Sequence, residues 1–533
     1  DMAAQGRAEE LAGIGKTIAE KIQALVETGA IPAAEKLKAR IPAGLVQITR
    51  IPGLGPKRAR ILHQELGIES LEDLRQAAET ERLRTVPGFG AKAEENVLAA
   101  LAGGADGRPR ARTLLSHALG IGMELVEGLR EHDGALRVEL AGSARRWEET
   151  CKDLDIVAAA SDPAALVEAF TRQPAIDEVT TSGEAGAKAI THHGLPVDLR
   201  IVPEESYGNL LQHFTGSARH NEALRTDAVK RGLHVSEYGI ADDSTGRTHA
   251  CATEEEVYEL LGMAYVPPEL REDRGELVAA RKGELPRLIA VGDIRGDLHC
   301  HTTASDGRNS IRQMAEAAQA RGYEYLAITD HSASHGFNNH VSPDELRRQI
   351  ERVAEADAAI EGFRILVGSE VNILTDGSPD YDDDLLAELD WVVASVHTSF
   401  RMSEGEMTAR MTTAMEHPLI DAVGHPTGRL IGRREGYALD VDRVIDAAVR
   451  TGTFLEINAN PNRRDLSDVY ARAAVEAGVT IVVDSDAHGV ETLSNIRYGV
   501  ATARRAWLTA ENVANTREWD ELERLRKSAA ARR

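Results

Sequence analysis

Two aspartates separated by one residue, Asp153 and Asp155, follow a Gly142-Ser143-Ala144-Arg145-Arg146 turn. In an extended strand alternate side chains share a face, so Asp153 and Asp155 point one way while Leu154 and Ile156 point to a core. Two carboxylates held side by side repel, and a divalent cation relieves that repulsion. Upstream, the backbone N–H groups of Gly142, the Ser143 hydroxyl and the Arg146 guanidinium suit a phosphate. A phosphate cradle beside paired carboxylates is the layout of a nucleotidyl-transfer site. An Asp-x-Asp pair alone reads as a surface turn and an edge strand. The Gly-Ser-x-Arg-Arg lead-in shifts the balance toward chemistry. Asp198 stands between Val197 and Leu199 in a further apolar stretch, on the polar face of a strand expected over 195–202.

A second set of reactive side chains lies in the C-terminal half. The clusters are Asp297-Leu-His299-Cys-His301, Ser305-Asp306, Thr329-Asp330-His331, Ser369-Glu370, Ser395-Val-His397, Gly424-His425 and Asp484-Ser-Asp486-Ala-His488. Each follows an apolar run. Imidazole and carboxylate groups are ligands for zinc, manganese or iron. A lone His is usually a surface or satisfied core residue, but seven clusters in the same local setting point to a metal centre. His-x-His and Asp-x-His place two ligands on one face of a strand. Cys300 alternates with the two histidines and is expected to pack outward. Asn458 and Asn460 are candidate substrate contacts.

A third pattern is a repeat. Gly13 and Gly15, Gly53 and Gly55, and Gly88 and Gly90 each form a Gly-x-Gly turn before a helix with i, i+3, i+4 apolar spacing, and Pro precedes the second and third copies. Such glycines allow a tight hairpin, and the next helix offers its N–H groups to an anion. Lys57 and Arg58 follow the second hairpin directly. The pattern resembles the helix-hairpin-helix, and the resemblance implies a reader of DNA backbone phosphate without sequence preference.

These sites need several bodies to position them. A chain of 533 residues holds about three or four domains. It begins with Asp, which suggests a processed or trimmed terminus. No secretory or bilayer-spanning run is evident, and Cys151, Cys251 and Cys300 are scattered, as in a reducing cytoplasm. The net charge of −24 excludes a uniformly DNA-coating surface. Charge is uneven, however: residues 40–115 carry 12 Lys/Arg against 9 Asp/Glu, and 291–533 carry 27 against 40. Local fields rather than the total steer a polyanion. The pattern predicts a helix over 114–130, strands over 136–141 and 195–202, and a helix over 162–171. From 291 onward strand, turn and helix alternate, as in a barrel of parallel strands whose active residues sit at the strand ends.

Gly142, Ser143, Arg145, Arg146, Asp153, Asp155 and Asp198 resemble the palm of the family X DNA polymerases, those related to polymerase beta. The resemblance implies that Ser143 and Arg146 bind the triphosphate and that the three aspartates are catalytic, holding two Mn or Mg ions. Residues 214–225 resemble the family's nascent-pair segment, with Phe214, Gly216, Asn221 and Arg225 on matching positions. Lys21 matches the family's Schiff-base lyase lysine, while Thr17 replaces a second lysine. Trp147, Lys152 and His213 depart from the pattern, and His213 puts strict deoxyribose selection in question.

Residues 293–511 resemble the PHP domain (polymerase and histidinol phosphatase). By that resemblance His299, His301, Asp306, His331, Glu370, His397, His425, Asp486 and His488 hold up to three Zn or Mn ions and assist phosphodiester hydrolysis. The fold expected is multidomain α+β and α/β: helical helix-hairpin-helix domains, a polymerase beta-like palm and thumb, and a distorted C-terminal βα barrel. The divisions expected are 1–40 (remnant of an 8-kDa-like helical domain), 41–105 (fingers), 106–205 (palm), 206–268 (thumb), 269–290 (linker), 291–511 (PHP) and 512–533 (helical tail). The function implied is gap-filling DNA repair synthesis with 3′–5′ exonuclease or abasic endonuclease activity. Gapped or nicked DNA and deoxynucleoside triphosphates would be the partners, with no membrane, a monomeric state and a cytoplasmic, nucleoid-associated location. The alternatives are a DNA-repair scaffold or a PHP phosphoesterase with a vestigial polymerase.

Overall fold

The computed structural model describes residues 16–28, 43–49, 54–80, 82–86, 89–90, 93–94, 97–98, 112–334 and 340–531. The chain divides into two compact units, Asp1–Ala111 and Arg112–Arg533.

The first unit is helical, with Lys16–Thr28, Ala43–Ile48, Pro56–Leu66 and Leu71–Glu79. Gly55 caps the helix Pro56–Leu66, whose proline at the first turn gives up no needed hydrogen bond, and Gly67 ends it in a left-handed conformation. A Ser70/Asp73 capping box starts the next helix. Leu45, Ile48, Leu54, Leu62, Leu74 and Leu83 form the core of this unit.

In the second unit a five-stranded sheet has the order Ala135–Leu140, Leu154–Ala160, Pro196–Val202, Gly186–Thr191, Ile176–Gly183. Its central pair, Leu154–Ala160 and Pro196–Val202, runs parallel, and the outer pairs are antiparallel. Strand alternation divides the residues between two cores. Leu154, Ile156, Ala158, Val197 and Leu199 pack with the helices Leu115–Arg130 and Pro163–Thr171. Val157, Ala159 and Val202 pack with Tyr207, Leu210 and Leu211 of the helix Tyr207–Thr215. Asp155 and Asp198 therefore share the second face.

A helical region with the three-stranded meander Leu233–Ser236, Gly239–Asp242, Arg247–His249 follows. The stretch 269–290, expected as a linker, is instead part of this core. Leu270, Ala280 and Leu288 are buried in it, Arg271 and Glu276 are fully buried, and it carries the helix Glu276–Lys282. Its charged composition reads as solvated, but Arg271 pairs with Glu254 and Glu276 with His220 in the interior.

The barrel has seven parallel strands in sequential order: Gly296–Cys300, Tyr325–Ile328, Arg364–Asn372, Trp391–Ser395, Ala422–Val423, Phe454–Asn458 and Ile481–Asp484. A bridge between Cys300 and Ala487 brings its edges together. Leu298, Tyr325, Leu366, Trp391 and Phe454 fill the interior, while Cys300, Ile328, Val367 and Ile457 face the helices. Cys300 thus packs outward, as its alternation requires. Residues 512–533 are helical over Trp519–Leu525 but are more than a tail. Ala514, Trp519 and Leu522 join the barrel interior, and Asn515 donates to the carbonyl oxygens of Gly296 and Val483.

Candidate active sites of the palm and the barrel

Parallel pairing sets Asp155 directly beside Asp198. Asp153 lies on the bend before the strand rather than in it, and is exposed. Burial, then the charges of Asp153 and Asp198, push the Asp155 pKa up to about 7. That repulsion is what a cation relieves, so the donor set fits a divalent ion. Asp198 meets Lys188 Nζ and Arg200 Nε, each at 3.0 Å. Among the described residues, the groups tight enough to clasp one ion all lie in the barrel; the palm triad is more open and its third member is neutralised by cations.

Gly142 and Ser143 open a single helical turn, Gly142–Arg145. Gly142 has φ +60°, and a Cβ there would lie 2.1 Å from Asp155 Oδ2. Only glycine lets this turn approach the carboxylate. Arg146 is buried and already engaged. It donates to the Thr215 carbonyl at 2.8 Å and to Glu272 at 3.1 Å, and it pairs with Glu148. Trp147 has φ +56° and lies edge-on to Tyr498 of the barrel at 5.8 Å. The indole therefore packs on the barrel. Lys152 is exposed.

Next to Thr215, to which Arg145 and Arg146 both donate, Phe214 is half-buried, and Arg225 is exposed. Asn221 bonds internally: Nδ2 donates to the His213 carbonyl at 2.7 Å and Oδ1 accepts from Gln212 at 2.9 Å. A Cβ on Gly216 would lie 2.5 Å from Asn221 Oδ1. Asn221 and Gly216 thus fix the turn that presents Phe214. Burial lowers the His213 pKa. Behind this wall Glu254 accepts from Arg145 at 2.7 Å and from Arg271 at 2.5 Å.

In the first unit, Lys57 and Arg58 are exposed in the first turn of Pro56–Leu66, beside Gly55. Gly90 is exposed, and its carbonyl accepts from Ala93 and Glu94. Lys21 is exposed on Lys16–Thr28. Gly13, Gly15, Gly53 and Gly88 lie outside the described residues.

All nine barrel residues gather at the C-terminal mouth of the strands. Eight of them form three overlapping groups: His301, Asp306, His331 and His488; His299, His301 and Asp486; and His331, Glu370 and His397. His425 Nε2 lies 2.9 Å from Glu370 Oε1. Glu370 is the hub, with His331 Nδ1 at 2.8 Å and His397 Nε2 at 3.2 Å. His301 Nε2 is 3.2 Å from Asp486, and His488 Nε2 is 3.2 Å from Asp306. Burial opposes charge on His331, yet Glu370 and Asp306 outweigh it and push its pKa up to about 10. Burial and the neighbouring His488 and His331 pull His301 down to about 4. His301 Nδ1 and His425 Nδ1 are buried without a hydrogen-bond partner. Orphaned imidazole nitrogens around carboxylates are a donor set that fits zinc or manganese.

Sequence reasoning missed Glu456. Its Oε1 lies 2.6 Å from His299 Nδ1, and Oε2 accepts from the His425 backbone N–H. It fixes the ring that faces the cluster, as carboxylates behind metal-binding histidines do. The available signal was a carboxylate inside the apolar strand Phe454–Asn458. Asn458 donates to Asp486 Oδ2 at 3.0 Å, so it holds a cluster residue rather than standing free for substrate. Asp330 braces the loop before Asp306, accepting from the backbone N–H and hydroxyl of Thr302, from Ser305 and from Gln349.

Among the described residues no helix is long and apolar enough to cross a membrane. Three family models match: a SAM-like helix-hairpin-helix tandem over 45–102, the DNA polymerase beta thumb over 210–272, and the PHP domain over 297–460. A relative in Bacillus subtilis strain 168, the DNA polymerase/3′-5′ exonuclease PolX, is 41% identical over 97% of this chain and 90% of its own length. Probable phosphatases of Thermoanaerobacter sp. strain X514 (30% identical) and Caldanaerobacter subterraneus (32%) match 41% and 36% of the chain, and 89% and 75% of their own lengths. With three domain types in one order and a relative matched along nearly its whole length, the chain belongs to the PolX family, the family X DNA polymerases that carry a C-terminal PHP domain.

Proposed function

We propose that this protein is a DNA-directed DNA polymerase for gap-filling repair, with a metal-dependent 3′–5′ exonuclease in its barrel. The observation that carries the reading is the pairing of Asp155 with Asp198 under Gly142, in a chain that matches a polymerase/exonuclease over 97% of its length. Asp153, Asp155 and Asp198 hold Mg or Mn beside the incoming deoxynucleoside triphosphate. Ser143 and Arg146 orient its phosphates; Arg146 exchanges its bonds to Glu148 and Glu272 for the triphosphate. Phe214, Gly216, Asn221 and Arg225 form the wall against the nascent pair. The hairpins at Gly13, Gly15, Gly53, Gly55, Gly88 and Gly90, with Lys57 and Arg58, hold gapped or nicked duplex by its backbone. Lys21, exposed on its helix, is the candidate lyase nucleophile.

In the barrel, His299, His301, Asp306, His331, Glu370, His397, His425, Asp486 and His488 hold Zn or Mn, up to three ions. A divalent cation bound there would supply positive charge to a phosphodiester and lower the pKa of the water that hydrolyses it. The half-exposed Asp306 at the mouth leaves the cluster open to substrate. The protein acts as a monomer in the cytoplasm, at the nucleoid.

Extension of a primer across a one-nucleotide gap, compared with an open template and with Mg against Mn, tests the polymerase reading. Gap filling at least as fast as open extension supports it, and absence of incorporation with either ion sinks it. A second reading, a phosphoesterase of small molecules, is favoured by the phosphatases that match the barrel alone. Turnover of phosphomonoesters with intact DNA 3′ ends would select it.

A further inference from the structure

We propose that Phe400, Arg434 and Arg463 form a platform at the barrel mouth that receives the last nucleotides of a single-stranded DNA 3′ end. The proposal rests on the exonuclease reading of the barrel and adds to it a subsite outside the metal cluster. The three side chains come from loops after three consecutive strands, Trp391–Ser395, Ala422–Val423 and Phe454–Asn458. Phe400 stands three residues beyond His397, and Arg463 Nε lies 3.9 Å from Asp486 Oδ2, beyond hydrogen-bond range. The platform thus begins where the cluster ends.

Its parts are fixed before any ligand arrives. Arg434 donates from Nε and Nη2 to the Gly428 carbonyl at 3.1 and 2.7 Å, and its guanidinium lies 4.5 Å from the centre of the half-exposed Phe400 ring. The rings of Phe400 and Tyr437 are parallel within 7°, with centres 6.1 Å apart. The Ile431 N–H donates to the Asn462 carbonyl at 2.7 Å and ties the Arg434 loop to the Arg463 loop. Among the described residues, no carboxylate lies within ion-pair distance of Arg433 or Arg434; Arg463 is 3.9 Å from Asp486, and the buried Asp465 acts on Arg434 and Arg463 from farther away. Guanidiniums without a close ion-pair partner beside an aromatic ring, next to a phosphodiester-cleaving cluster, match a strand that offers alternating phosphates and bases.

The location fits a 3′ end arriving from the palm. Arg429, at the base of the same loop, donates to Glu149 Oε1 at 2.5 Å and to the Arg464 carbonyl. Glu149 follows the phosphate turn. A cavity of about 560 Å³ adjoins this contact, lined by Glu149, Arg429, Arg433, Arg434 and Glu435 among others. The arginines of this loop thus stand on the side of the barrel that touches the palm.

The test uses the full chain loaded with manganese and a 5′-labelled oligothymidylate with a free 3′ end. Phe400→Ala and Arg434→Met are each expected to raise KM about tenfold, with kcat within about twofold, as for the loss of one base stack or one phosphate contact. Arg434→Met should also lower the salt dependence by about one unit of slope, Phe400→Ala should not, and Phe400→Trp should restore KM. Bound manganese, melting temperature and gap filling at the palm are read in parallel and are expected to stay at wild-type values. An unchanged KM in both variants overturns the platform while leaving the exonuclease reading intact. A manganese-loaded wild-type protein that leaves the 3′ end whole overturns the exonuclease reading, and the platform with it.

Discussion

Nη1 of Arg464, a barrel side chain only 1% exposed, donates to the carbonyl oxygen of Trp147 across 2.9 Å. One residue earlier, the Arg146 carbonyl accepts from Arg505 at 2.8 Å, and one side chain of Glu272 accepts from both Arg146 and Arg505. The end of the phosphate turn is thus held by the barrel. Burial, the largest effect, lowers the Arg464 pKa to about 10, still well above neutrality, so the donor stays charged.

Replacing Arg464 with Met removes the bonds to Trp147 and Thr502 and leaves the half-buried Trp147 carbonyl without this donor. The expected cost is about 2–4 kcal/mol. Urea unfolding followed by tryptophan fluorescence checks it. The apparent KM for nucleotide should rise at least several-fold, because the turn bearing Arg146 loses its support.

Glu254→Gln tests the charges behind the palm. Burial alone would raise the Glu254 pKa, but the guanidiniums of Arg271 and Arg145 outweigh it and hold it at about 2. The folded value is depressed, so the stabilisation is present above the unfolded value of about 4.5 and is lost as pH falls toward 2. The variant should cost about 3–5 kcal/mol at pH 7.5, since Arg271 becomes a buried charge without its counter-charge. The difference from wild type should shrink between pH 4.5 and pH 3. An equal difference at both ends would show that the ion pair is not its source.

Asp155→Asn should have the opposite effect on stability. With its pKa pushed up to about 7 by burial and two neighbouring aspartates, Asp155 carries an unfavourable charge at pH 8 in the absence of metal. In chelator, the variant should melt a few degrees above wild type, roughly 1–2 kcal/mol. It should also lose the stabilisation that Mg or Mn confers on wild type. Calorimetry with and without the ion measures both.

Glu456→Gln should weaken manganese binding by about 10–100-fold without unfolding the barrel, because His299 loses its orienting carboxylate. Titration of the apo-protein with Mn, followed by electron paramagnetic resonance, reads the affinity directly.

How much of this was visible in the sequence depends on side-chain periodicity. The Leu154–Ala160 strand and the barrel strands alternate or run apolar, and their reactive residues stand out at the ends. Ile176–Gly183 is almost wholly exposed and carries no such pattern, so that edge strand was not legible. Glu456 was hidden for the reverse reason: it sits inside a fully buried strand and its partners are far away in sequence. Charge misled at 269–290. Arg271 and Glu276 look like solvated linker residues until Glu254 and His220 are brought to them. The plug formed by Trp519 and Leu522 depends on the closed barrel, which local sequence does not reveal.

The central claim is that one chain carries two independent phosphodiester chemistries, synthesis at Asp198 and hydrolysis at the cluster that includes His397. The most direct measurement follows extension and shortening of one labelled primer on gapped duplex for the wild type, Asp198→Ala and His397→Ala. Asp198→Ala should abolish extension and keep 3′–5′ shortening, and His397→Ala should do the reverse. Extension that persists in Asp198→Ala, or shortening that persists in His397→Ala, would contradict the account.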